Sequence, residues 1–445
     1  MYLFMFKQFL RTKTCIFGLS IVLLLGLVSI LVGKQFLVRQ EKAIDEVIEK
    51  QAAHIERNLD HHSDDIGLLL YYLKFALVNK ATPLAALSIG QSDVHPKVQR
   101  VKILTLEGQK YDSDLVNPVK LLYGNLDLGF LIVNVFPLLI IAFTYNLRSE
   151  EVESGTWRFV QVMSRSRFRF LFAKLSVRAV LLFSALILLF MLASLILGIP
   201  WNDPFFAFLL TAVFYLIFWF VLSYGVVSLG RNSNFNALTL LALWLCLVIL
   251  LPAALNNFVN TRHPIPEAFS SMIKQRNGYH QKWDTNKRKT LEAFYARYPQ
   301  FESYGYPPEE GFNWRWYYAM QHLGDEAALE TRQLMQEKVA LREKISKGWA
   351  RFVPSLHAQL VLNDLAGTNL SNYTNFLDET DRFHERMRLF FYPKIFSEVN
   401  AREINWQEFS PEYVAYNQRI EWQKILLPLL IVTLLLIVVS RRRIQ

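Results

Sequence analysis

Six blocks of the chain are apolar almost without interruption, and the stretches between them are polar or mixed. The blocks span residues 14–33, 126–145, 177–199, 204–229, 235–255 and 425–440. About 20 residues at a rise of ~1.5 Å cross a ~30 Å hydrocarbon core, so each block predicts a transmembrane helix. The sixth is short, but Trp422, Lys424 and Arg441 flank it and can reach the interfaces. The first follows the basic start Lys7, Arg11 and Lys13. Its long apolar run, with no small-residue cleavage pattern after it, favours a retained helix over a signal peptide.

The polar stretches have their own periodicity. Residues 1–13 mix aromatic and basic positions and predict a helix lying in the membrane interface. Residues 34–62 contain neither Gly nor Pro and repeat apolar positions at helical spacing, so the first span should continue outward as a helix. "VQRVKILTLEGQKYDS" alternates around Glu107-Gly108 and predicts a short hairpin. Residues 325–353 predict a long charged helix, preceded by an aromatic, proline-rich stretch that suits an irregular or partner-contacting surface.

Charge sets the expected orientation. Lys and Arg concentrate before span one, in the 146–176 connection, at Arg231, and in the 441–445 tail, while "PWNDP" between spans three and four has none. By the positive-inside rule both termini and residues 146–176 face the cytoplasm. Residues 34–125 and 256–423 then face outside and are expected to meet as one domain. The expected fold is a mainly α membrane protein: six transmembrane helices, an interfacial N-terminal helix, and a mostly helical extracytoplasmic domain with a small β element.

Composition agrees, with 52% hydrophobic residues and 19% charged. The net charge of +10 sits beside the spans and forms no nucleic-acid-binding stripe. Cys15 and Cys246 lie in apolar blocks, which excludes a disulfide framework. No P-loop is present, so any ATP and Mg are expected in another chain, and no cofactor is expected in this one. His54, His61 and His62 could contribute to a metal site but read more simply as a solvated helix end. The spans carry almost no ionisable residues, which argues against ion-coupled transport and against an intramembrane enzyme. In span two, Asn134 is a polar site and Pro137 should bend the helix.

The densest charge is in "EEVESGTWRFVQVMSRSRFRFLFAKL". Glu150, Glu151 and Glu153 suit a helix start, Gly155 permits close approach of another backbone, and Trp157, Val160 and Met163 form an apolar stripe. Ser164 and Ser166 can break and recap the chain before span three.

This stretch resembles the cytoplasmic segment of type 2 ABC exporter permeases. Glu153-Ser154-Gly155-Thr156 matches a Glu-x-Gly-Thr element, Ser164-Arg165 a Ser-Arg turn, and Ala173-Lys174 the entry to the next span. Ser166-Arg167-Phe168 departs from the aliphatic residues commoner there. "PLAALSIGQSDVHP" and "PSLHAQLVLNDLAGTN" resemble recurrent elements of a subgroup with large inserts after spans one and five. The resemblance implies a non-catalytic transport subunit in a bacterial inner membrane. It implies pairing with a second permease, identical or homologous, and with two separate ATPase subunits. It also implies that Glu150, Glu151, Glu153, Gly155, Thr156, Trp157, Ser164 and Arg165 form the ATPase-coupling surface. The outer domain would then export cargo or work on an extracytoplasmic protein. The competing expectation is a membrane sensor or scaffold whose outer domain binds a signal or a partner protein.

Overall fold

The computed structural model describes residues 2–110, 124–163, 166–265, 286–414 and 420–441, with a few more between 273 and 283. Among the described residues, six helices are long and apolar enough to cross a membrane: Lys13–His62, Leu128–Glu153, Phe168–Leu197, Asp203–Val227, Ser233–Arg262 and Trp422–Ser440. They are called spans one to six below. The N-terminal helix α1 (Tyr2–Leu10) precedes them. Of the tail at 441–445, the residues after Arg441 lie outside the described part.

Span one is a single helix of 50 residues. At ~1.5 Å per residue it is more than twice as long as a bilayer core is thick. Its apolar half therefore crosses and its charged half rises beyond the surface, as the Gly- and Pro-free stretch predicts. At Gly33 it meets the 83–86 turn so closely that an added Cβ would strike the Ala86 carbonyl. This contact ties the first insert to the membrane surface.

Span four is the hub of the bundle. Its Tyr215, Trp219 and Phe208 are fully buried, together with Phe136 and Phe143 of span two and Phe190 of span three. Span two is made of three pieces: a turn at Leu128–Phe130, a π-helical segment at Leu131–Val135, and an α-helix from Phe136 to Thr144. Asp127 caps it, accepting the Phe130 N–H at 2.7 Å. The expected bend at Pro137 is thus realised as a π-segment just before it. Pro137 has no N–H to offer, and the Tyr215 hydroxyl instead donates to the Val133 carbonyl at 2.9 Å. Span five repeats the device, with a π-segment at Cys246–Leu250 followed by Leu251-Pro252.

The two long inserts build one domain. Strand β1 (Phe75–Asn79) lies between β2 (Val98–Val101), antiparallel with Phe75 opposite Val101, and β3 (Glu412–Val414), parallel with Leu77 opposite Glu412. The first insert supplies two strands and the second insert the third. Beside the sheet run α4 (Trp314–Ala350) and α6 (Leu370–Phe396), where α2 and α3 are kept for Ser149–Glu153 and Trp157–Met163 and α5 for Pro354–Ala366.

Three local expectations need correction. No hairpin turns at Glu107-Gly108: these residues open a helical turn, and β2 pairs with β1. The alternating pattern was misleading because Glu107 and Lys110 point inward to ion partners, Arg332 and Asp381, each at 2.8 Å. The end of that stretch, from Tyr111 on, lies outside the described residues. The aromatic run before residue 325 is not wholly irregular, since α4 begins at Trp314, where the Asn313 side chain accepts the Arg315 and Trp316 N–H groups. Trp316, Tyr318 and Met320 are core residues there. Finally, α5 leaves the large domain and wedges among the spans. Its Ala358, Leu362 and Leu365 join the transmembrane core, and His357 bonds the Ile425 carbonyl of span six at 2.9 Å.

His95 illustrates how the domain responds to pH. Its ring stacks on Tyr373 with centroids 3.9 Å apart. Burial, aided by Lys97, lowers its pKa to about 4 from an ordinary 6.5. Between these values the unfolded chain takes up a proton that the folded site refuses, so His95 opposes folding increasingly as pH falls from 6.5 to 4. Thermal unfolding of wild type and His95→Phe across that window is expected to show the smaller acid-induced drop in the variant.

Candidate coupling site between spans two and three

Span two leaves the membrane core at Thr144 and continues through a turn into α2, which is followed by Ser154-Gly155-Thr156 and α3. Gly155 has φ +76° and nothing within 4 Å of the place a Cβ would occupy. Its role is conformational: it reverses the chain in a region that L residues avoid. Among the described residues of this chain no backbone makes the close approach that Gly155 would permit.

Around that turn the polar side chains latch inward. Thr156 Oγ1 lies 2.9 Å from Ser154 Oγ and donates to the Glu151 carboxylate. The same carboxylate receives Lys174 Nζ of span three at 2.5 Å. Glu153 reaches the start of span five, accepting the Ser233 N–H at 2.9 Å and its hydroxyl at 3.0 Å. A carboxylate there satisfies an orphan donor and complements the positive end of the span-five helix. Ser149 Oγ lies 2.7 Å from the same hydroxyl. The Arg148 guanidinium covers the Trp157 ring at 5.3 Å and packs on Gly230. One short element is thereby fastened to spans two, three and five.

The expected apolar stripe is rotated. Trp157 and Val160 are half-buried, while Phe159, Val162 and Met163 are 70%, 86% and 85% exposed, with Val152 beside them at 50%. Arg148 draws Trp157 inward, and that fixes the phase of α3. Glu150 is exposed in the first turn of α2. It borders a cavity of about 370 Å³, shared with Phe9 of α1, Thr12, Lys174 and Arg178. Ser164 and Arg165 lie outside the described residues; Ser166 stands in extended conformation just before the helix of span three.

Asn134 and Pro137 are not part of this site. Asn134 sits in the π-segment, where its side chain donates to the Phe130 carbonyl at 3.0 Å and its carbonyl accepts Trp244 Nε1 at 3.1 Å. The histidines are also separate: His54 bonds the Tyr72 carbonyl, His61 the Arg57 carbonyl, and His62 stacks on Tyr72. Among the described residues no group of three or more His, Cys, Asp or Glu could hold a metal ion.

Ser233 carried no signal in the sequence; Lys174 and Arg148 were visible as cytoplasmic-side charges, but their pairing with Glu151 and Trp157 arises only through the fold. Removing the Ser233 hydroxyl (Ser233→Ala) is expected to loosen the latch by about 1 kcal/mol. A spin label at Val162 should become more mobile in that variant, and stay unchanged in Glu150→Ala.

Comparison with protein families finds two matches. Residues 269–414, which include the whole of α4, α5, α6 and β3, match a domain of unknown function (DUF3526). Residues 6–310 match the model described as ABC-2 family transporter protein, over five of the six spans and the whole of the 149–163 element. No curated protein and no solved structure gives a match. With two-thirds of its length inside that family model, the chain belongs to the ABC-2 transporter family and is a multi-pass transmembrane component of an ABC transporter.

Proposed function

We propose that the chain is the permease subunit of an ATP-driven exporter, moved by a separate ATPase that grips α3. The observation that supports this most is the contrast within one element. Its polar side chains are latched to spans two, three and five, while Phe159, Val162 and Met163 project outward with no cover. An apolar anchor on a rigid mount can transmit force as well as bind. Closure of the ATPase dimer pushes α3, and the latches pass the displacement to three spans together. ATP and Mg are bound by the ATPase, two copies of which serve a pair of permeases.

In this reading the face lies in the cytoplasm of a bacterial inner membrane, with both termini on the same side, which the arginines and lysines around α2 and α3 support. The large domain is then periplasmic and receives cargo or works on an extracytoplasmic protein. Span five supports pairing with a second permease. Only 11% of its most apolar stretch is buried, and Leu238, Leu241, Leu245 and Ile249 recur along one exposed face. The experiment is co-purification with a P-loop ATPase, sought among the products of the genes that neighbour that of the chain, followed by substitution in α3. Loss of association with the permease still folded supports the reading.

A further inference from the structure

A cavity of about 690 Å³ opens where the end of α4, the helix α5 and the start of span six converge. Its floor is apolar, formed by Val361 and Leu365 of α5 and Ile425 of span six, and it is continuous with the transmembrane core. Its rim is charged. Glu343, Asp364 and Glu421 are each already paired: Lys347 bonds Glu343 at 2.8 Å and Asp364 at 2.9 Å, and Lys424 bonds Glu421 at 2.7 Å. Lys344 and Arg351, also on the rim, meet no carboxylate among the described residues. The rim thus carries four cations against three carboxylates, so the cavity is net positive over an oily floor, with Lys344 and Arg351 outside the ion pairs.

Gly348 is the second sign that the space is built. It lies within α4, where glycine costs ~1 kcal/mol relative to alanine. The helical glycines Gly18, Gly26 and Gly33 are explained by neighbours that a Cβ would strike, yet nothing lies within 4 Å of a Cβ at Gly348. Gly348 lines the cavity, so its missing side chain keeps the space open. Trp349 and Phe352, 53% and 73% exposed, project from the same turns, and Trp422 begins span six. Aromatic residues so placed mark the level of the membrane interface.

We propose that this cavity binds an anionic amphiphile from the adjoining leaflet. Its acidic head lies between Lys344 and Arg351, and its chain runs over Val361, Leu365 and Ile425. The site depends on the membrane setting of the fold and not on the ATPase contact at α3. Both halves are needed: charge alone would take any free phosphate, and the apolar floor alone would take any lipid.

The test uses the full chain purified in detergent, with fluorescent short-chain phosphatidylglycerol as probe. Phosphatidylcholine of equal chain length and inorganic phosphate are the comparison arms. Saturable phosphatidylglycerol binding is expected, weakened at least ~tenfold by Gly348→Phe, which fills the cavity, and by the double variant Lys344→Gln/Arg351→Gln. Phosphatidylcholine should bind at least ~tenfold more weakly, and phosphate alone should fail to displace the probe. Undiminished binding in both variants, equal binding of phosphatidylcholine, or displacement by phosphate would each overturn the proposal. If Gly348→Phe lowers the melting temperature, the charge variant decides, since both its positions are exposed and unpaired.

Discussion

Replacing Arg388 with leucine is expected to destabilise the large domain by about 3–5 kcal/mol, the range for breaking one side of a buried ion pair. The Arg388 and Asp325 side chains are 3% and 11% exposed and meet at 2.8 Å. Arg388 also donates to the Ile103 carbonyl at 3.1 Å and to the Leu104 carbonyl at 2.6 Å, while Asp325 accepts the Leu106 N–H at 2.8 Å. The 103–106 segment belongs to no strand, so these side chains stand in for a ladder partner. Leucine would strand a buried carboxylate and two carbonyls together. The double variant Arg388→Leu/Asp325→Leu should cost less than the sum of the single variants, because it removes the orphaned charge. Thermal unfolding of the purified chain, followed by tryptophan fluorescence, reads both quantities. Additive costs would mean that the two residues act independently.

The same cluster shows what a linear sequence reveals and what it hides. The six spans were legible because apolar length alone identifies them, and the outward extension of span one because nothing in residues 34–62 stops a helix. The Glu107-Gly108 hairpin fails because an alternating pattern cannot show that Glu107 and Lys110 are themselves buried, against Arg332 and Asp381, the first of these 225 residues from Glu107. α5 failed for a related reason. "PSLHAQLVLNDLAG" is too short and mixed to announce itself as part of a membrane core, and its burial depends on the groove that spans four to six provide.

The proposed coupling element was half legible. Its acidic start, Gly155 and the arginines around it could be located from local chemistry, and the φ of +76° at Gly155 fits the residue type. Which face of α3 is free could not be read, because a short helix supports several phases and Arg148 and Ser233, from outside it, choose among them. That choice moves attention from Trp157 and Val160 to Phe159, Val162 and Met163. It also changes the meaning of Glu153, which positions the element through Ser233 rather than facing a partner first.

The second large effect belongs to that exposed face. An aspartate at Val162 or Phe159 puts a charge where an apolar anchor should be desolvated, and losing such an anchor costs at least about 2 kcal/mol, or ~30-fold in affinity. Both positions are largely exposed, so the fold should not register either change. Glu153→Ala acts by another route: it frees the mount and leaves the anchor in place, so it should reduce coupling more than binding.

The most direct measurement is ATP hydrolysis by the P-loop ATPase sought above, co-purified and reconstituted with wild-type chain or with Val162→Asp and Phe159→Asp. Lost co-purification and loss of permease-dependent hydrolysis in both variants, at unchanged melting temperature, is the predicted result. Wild-type stoichiometry and wild-type hydrolysis in both would contradict the assignment of α3 as the ATPase contact.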